Sequence, residues 1–206
     1  TGDNSLDARN TSLLYQRAVD SLVFKPAGLP GIHVNEPLNQ AASLYSYPYR
    51  GGRGYVTGDY TGTAGAIGWY MTADQAGQLF ARVLSSADQS VLSSSLKTTL
   101  LENRYGCYAA LLGDQEVVYY HDGWQWATDP SFPGGYRGLR SIWMKYPGQV
   151  TIVLLVNALG ANRLFPSNNG MDIMDYVDQA YGRARQLQNG RTSPYLPLKL
   201  EHAEPH

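Results

Sequence analysis

The chain has 206 residues, a net charge of −1, 43% hydrophobic and 16% charged residues, and only four lysines. A near-neutral chain with no basic stripe is not built to seek nucleic acid. No run approaches the roughly 20 apolar residues of a membrane helix, and the single Cys107 excludes an internal disulfide or a cysteine-built zinc site.

In chain order, Leu13, Leu14, Ala18, Leu22 and Val23 recur near helical spacing. They predict a helix over 5–24, with Asp3 or Asn4 as N-cap and Pro26 and Gly28 as stops. Residues 28–68 read as a long loop region with Pro30, Pro37, Pro48 and a Gly51-Gly52-Arg53-Gly54 cluster. Thr72-Ala73-Asp74 starts a second helix, whose apolar face is Ala76, Leu79, Phe80, Val83 and Leu84. A short helix is expected over 90–101. The pattern then changes to strands over 105–112 and 116–120, around the turn Gly113-Asp114-Gln115. Strands over 139–146 and 151–157 flank Pro147-Gly148, and a helix over 171–188 follows.

Helices, then consecutive strands, then one helix predict an α+β fold, an antiparallel sheet flanked by helices. One domain is expected over 1–190, with a helical and loop part to about 103 and the sheet and last helix after it. Residues 191–206 read as an extended tail. Cys107, inside an apolar stretch, reads as a buried inert thiol. Few lysines and tyrosine-rich loops point to a periplasmic or secreted protein. The first residue is Thr1, as expected of a processed or trimmed chain. One cysteine and scattered histidines give no metal site, and no cofactor is expected.

Four stretches together resemble the family of serine β-lactamases, D,D-peptidases and related esterases. "FKPAGL" (24–29) is similar to its F-x-P-L-G-M element, and "GAIGWYMTADQAGQLFARVL" (65–84) to its G-G-x-x-S-T-A-x-D-L-A-x-F segment. "RYGCYAAL" is similar to its Y-G-L-G-W strand. "YYHDG" followed by "GGYRGLRSIWMKYPGQVTIVLLVN" is similar to its H-x-G and G-Y-x-S ending. They occur in the family's order and cover roughly residues 15–188, as the C-terminal portion of such a protein.

The resemblance implies three motifs: Ser-x-x-Lys, Tyr-x-Asn, and Lys-Thr-Gly or His-x-Gly. The third would be His121-Asp122-Gly123, on a strand bordering the active site. The backbone N–H of Trp124 would form half of an oxyanion hole, and the serine's own N–H the other half. Gly123 would let an acyl group approach the backbone, and His121 would hold a proton or a positive end near the substrate. Asp122, Trp126 and Tyr136 are candidate substrate-binding residues. On the residues alone, a plain strand-end histidine is the alternative for His121, and Trp124, Trp126 and Tyr136 read equally as a cover for the sheet edge. Alternation along a strand points Asp122 away from His121, which argues against a His-Asp dyad.

The departures concern the nucleophile. Only Lys97 has a serine three places before it, and Ser94-Ser95-Leu96-Lys97 falls after the second helix, out of the family's order, so it reads as coincidence. No Tyr-x-Asn or Tyr-x-Ser occurs; Ser167-Asn168-Asn169 lies beyond the last strand. The expectation is the C-terminal part of a serine hydrolase acting on an amide or ester. Its Ser-x-x-Lys would come from an N-terminal part of the same protein, or a homodimer mate would complete the fold. The alternative is a pseudoenzyme or ligand-binding module of the same fold.

Overall fold

The computed structural model describes residues 2–35, 41–49, 51–112, 116–167 and 170–188. The expected turn at 113–115, Asn168-Asn169 and the tail 191–206 lie outside them. The chain forms two compact units, Thr1–Ser43 with Tyr55–Lys97, and Leu44–Gly54 with Thr98–His206. Residues 44–54, within the expected loop region, group with the second unit, and Tyr45–Ser46 pair in its sheet.

In the first unit, α1 (Asn4–Val19) starts at Asp3, whose carboxylate accepts from the Ser5 N–H at 2.9 Å and the Leu6 N–H at 3.2 Å. This satisfies two of the donors a helix start leaves open. The helix runs into one π turn, Asp20–Phe24. No side chain of α1 is buried, and Leu13, Leu14 and Leu22 of the expected apolar face are exposed. The core lies just after it. Phe24, Ala27 and Leu29 of "FKPAGL" pack with Ile32 and Leu79, and Trp69 meets Phe24 edge-on at 4.9 Å. Helix α2 (Ala73–Leu84) begins with a capping box: Gln75 N–H donates to Thr72 Oγ1 at 3.1 Å, and Thr72 N–H donates to Gln75 Oε1 at 2.9 Å. It buries Ala76, Leu79 and Leu84. Helix α3 (Ser94–Glu102) starts in this unit and continues into the second.

The second unit holds a six-stranded sheet of β1 (Tyr45–Ser46), β2 (Tyr108–Leu111), β3 (Val117–Thr128), β4 (Tyr136–Lys145), β5 (Thr151–Val156) and β6 (Ala158–Leu159). The order is β2-β3-β4-β1-β6, with β5 beside β4. Every pair is antiparallel except β1 with β6, so the sheet is mixed rather than antiparallel throughout. Gly138 stands opposite Tyr45, where a Cβ would lie 2.1 Å from the Gln125 carbonyl oxygen; no other residue fits there without moving backbone.

One face of this sheet is covered by α4 (Ile173–Gln188). Val118, Ile142, Met144 and Tyr146 pack there with Phe165, Ile173 and Val177. Full burial of each such apolar side chain contributes about 1.5–3 kcal/mol. Tyr146 stacks on Tyr181 with ring centroids 3.8 Å apart and donates to Asp178 Oδ1 at 3.3 Å, so the buried carboxylate has a partner. The outer edge of β5 has no partner strand among the described residues.

The largest difference from expectation is β3. The second expected strand stops at residue 120, yet β3 continues through His121-Asp122-Gly123-Trp124-Gln125-Trp126-Ala127-Thr128. Glycine and polar residues lower strand propensity, but unbroken pairing with β4 from Tyr119 to Thr128 outweighs it.

Candidate active-site wall

His121, Gly123 and Trp124 therefore sit inside a strand. Their directions follow from the ladder. Leu112 N–H donates to Glu116 O at 2.8 Å, which closes the β2–β3 hairpin. In an antiparallel ladder the in-plane groups of alternate residues face alternate neighbours. Residues 116, 118 and 120 thus face β2, and 121, 123, 125 and 127 face β4. The other end agrees, because Asp129 N–H donates to Gly135 O at 3.0 Å. The backbone groups of Asp122, Trp124 and Trp126 point outward, away from β4. Strand β2 ends opposite Tyr120, and no strand pairs with this edge beyond it among the described residues. The Trp124 N–H is thus aimed off an open strand edge, the orientation an oxyanion donor needs.

Side chains alternate as well. Asp122, Trp124 and Trp126 share the face of Ile142 and Met144, and His121 and Gly123 the opposite one. His121 is exposed and stacks on Tyr108, centroids 5.4 Å apart and planes at 23°. At Gly123 a Cβ would lie 3.0 Å from Ser141 Oγ, on the neighbouring strand. Glycine there keeps the His121 face low beside the outward amide.

Asp122 lies in an ion cluster. Arg140, 6% exposed, places Nη2 3.1 Å from Asp122 Oδ2 and 3.1 Å from Asp172, just before α4. Half-exposed carboxylates against a buried guanidinium brace β3 on β4 and α4. The same guanidinium lies 5.9 Å from the Trp124 ring, and Arg163 lies over Trp126, Tyr136 and Trp124 at 4.5, 5.3 and 5.5 Å. Trp126 and Tyr136 meet edge-on at 5.3 Å. The structure thus joins Trp124, Trp126, Tyr136 and Asp122 on one face and leaves His121 and Gly123 on the other. Sequence reasoning missed Tyr108, Arg140, Arg163 and Asp172. Arg140 stands opposite Trp124 in the β3–β4 register and was findable once that register was set; nothing local in the sequence marks Arg163 or Asp172.

Ser94 and Lys97 lie in the first unit and have partners there. Lys97, 3% exposed, donates to the carbonyls of Arg82 at 2.7 Å, Ser85 at 2.6 Å and Asp88, all in its own unit. It caps the carbonyl end of α2. Burial pushes its ammonium below the ordinary value, with Asp88 opposing. Ser94 Oγ donates to Ser86 O at 3.3 Å. Cys107 is buried, and burial pushes its thiol above the ordinary value, so it is a poor nucleophile. Among the described residues no group of three or more His, Cys, Asp and Glu side chains is arranged for a metal ion, and no helix is long and apolar enough to cross a membrane.

A protein-family model described as Beta-lactamase matches residues 8–171. No curated protein and no solved structure matches the chain.

Proposed function

The chain belongs to the beta-lactamase family, and from that premise we propose that it forms the oxyanion-side wall of a serine hydrolase acting on an amide or ester. The observation that carries this reading is the Trp124 N–H, aimed off the open edge of β3 beside Gly123 and the exposed His121. The serine hydroxyl attacks the acyl carbonyl, and its proton passes to the base that accompanies it. The developing oxyanion accepts from Trp124 N–H and from the serine's own N–H, each such donor lowering the barrier by about 3 kcal/mol. Collapse expels the amine or alcohol and leaves an acyl-serine, which water hydrolyses. His121 supplies a proton or a positive end on the same face.

The serine and its lysine come from an N-terminal part of the same protein in this proposal. Two features support a further segment. The outer edge of β5, which carries the exposed Leu155, has no partner strand among the described residues, and the apolar side chains of α1 are not buried. A homodimer mate is the other source of a covering strand. A periplasmic or secreted location fits an acyl substrate such as a D-amino-acid peptide, a β-lactam or a small ester.

The test is an intact-mass spectrum of the protein purified from its own source, before and after a fluorophosphonate and a penicillin in parallel. An adduct on a co-purifying or covalently continuous segment, with none on residues 1–206, is the expected result. An adduct mapped to Ser94, or no adduct on any segment of the assembled protein, overturns the proposal. The second outcome leaves a ligand-binding pseudoenzyme of the same fold.

A further inference from the structure

The face of β3 opposite His121 carries a group that takes no part in the acyl-transfer steps proposed above, although Trp126 and Tyr136 are candidates for holding the substrate. Trp124 and Trp126 are 51% and 43% exposed, large for neighbouring tryptophans on one strand face. Arg163 lies across them and Tyr136 at 4.5–5.5 Å. To reach this place the backbone is left-handed at two successive non-glycine residues, Asn162 at φ 56° and Arg163 at φ 65°. Asparagine tolerates that region; arginine gains nothing from it locally. A stacked guanidinium uses its flat faces on the rings and keeps its edge donors for an acceptor. The acidic neighbours Asp122 and Asp172 are both engaged by Arg140. Among the described residues Arg163 has no ion pair, and its Nε is buried without a hydrogen-bond partner. Leu164, 57% exposed, follows directly in the chain.

We propose that Arg163, Trp124 and Trp126 form a binding site for an amphiphilic anion. A carboxylate or phosphate monoester pairs with the terminal Nη donors of Arg163, and its apolar chain lies on the two indoles. The charge is recognised because, among the described residues, no carboxylate lies within ion-pair distance of Arg163 and both nearby carboxylates face Arg140. The apolar body is recognised because the exposed ring area beside it is otherwise wet. The site does not use His121 or the nucleophile, and its test involves no acylation, so it stands or falls separately from the hydrolase reading.

The test is NMR of the 15N-labelled chain, following the Arg163 Nε–Hε and the Trp124 and Trp126 indole N–H signals. Octanoate and octyl phosphate are titrated below their micelle concentrations, with octanamide and acetate as controls. The expected result is saturable shifts of all three signals by at least one of the two anions, with an apparent Kd below about 1 mM. The tighter of the two identifies the anion class. Octanamide and acetate should each bind at least about tenfold more weakly, as fits loss of the charge-assisted pair or of the apolar contact. Arg163→Gln should abolish the effect and Arg163→Lys weaken it. No saturable shift, octanamide binding like octanoate, acetate binding like octanoate, or undiminished binding by folded Arg163→Gln each overturns the proposal. If Arg163→Gln does not fold, the shift of the wild-type Arg163 Nε–Hε signal decides.

Discussion

Replacing Lys97 with methionine separates two readings of the one Ser-x-x-Lys in the chain. Methionine keeps an unbranched stem of similar volume in the buried position and removes only the three donors. The carbonyls of Arg82, Ser85 and Asp88 then lose their common partner. Leaving a buried acceptor unsatisfied costs about 1–3 kcal/mol, and these three carbonyls belong to half-buried residues that water can serve in part. Relief of the ammonium's desolvation offsets part of this, and a net loss of about 2 kcal/mol is expected. The ammonium titrates below its ordinary value. The unfolded chain therefore holds the proton more tightly, and wild-type stability should rise relative to the variant as pH climbs from the folded value toward 10.5. The chain has two units, so a global unfolding curve need not be two-state; amide hydrogen exchange in the last turn of α2 reports the effect locally. Ser94→Ala should change exchange there by less than about 0.5 kcal/mol. Lys97→Met within about 0.5 kcal/mol of wild type would refute the cap. Probe labelling lost in both variants, with folding intact, would restore them as a catalytic pair.

Three more predictions concern the second unit. Asp129 is held below the ordinary carboxylate value mainly by the Ser46 hydroxyl. Ser46→Ala should cost about 1 kcal/mol at neutral pH, a difference that persists above the ordinary 3.8 and shrinks as pH falls below it, read from urea titrations at several pH values. Arg140→Met removes a buried guanidinium from Asp122 and Asp172, whose half-exposed carboxylates can turn to water; a loss of about 2 kcal/mol with retained secondary structure is expected by circular dichroism melts. In the assembled hydrolase, Trp124→Phe keeps the amide and should leave acylation within about threefold, whereas Trp124→Pro removes the donor without removing a β4 ladder bond and should slow acylation by about 10²–10³-fold in single-turnover assays. Equal rates in the two would remove that amide from the mechanism.

The helices were legible because their signals are local. Asp3 at the first start and Thr72 with Gln75 at the second are stop-and-start chemistry that needs no distant partner. The sheet was legible in outline for the same reason: Gly148 at φ 70° permits the turn that its sequence announced. The two hairpins paired as expected, and what failed was pairing between residues not joined by a short turn. Residues 45–46 look like loop between prolines and become strand only because Gly138 and Ala158 stand beside Tyr45. The first helix has apolar residues at helical spacing, yet Leu13, Leu14 and Leu22 stay exposed while Val19 and Val23 touch the core, since periodicity specifies a face and not what covers it.

The same distinction explains the candidate site. A motif such as His121-Asp122-Gly123 names residues, but the chemistry depends on which backbone groups leave the strand edge, and that depends on ladder phase. A slip of one residue between β2 and β3 would turn the Trp124 N–H toward β4 and bring Gly123's outward. The phase is held from three sides: by the Leu112–Glu116 bond, by the Asp129–Gly135 bond, and by Asp122, whose carboxylate reaches Arg140 only from the α4 face. The Arg140 cluster therefore acts as a register lock. Loosening it should first appear as faster exchange of the β3 amides facing β4, at residues 121, 123 and 125, before any global loss of structure. Arg140→Met with those amides as protected as in wild type would show that the hairpin bonds alone set the phase.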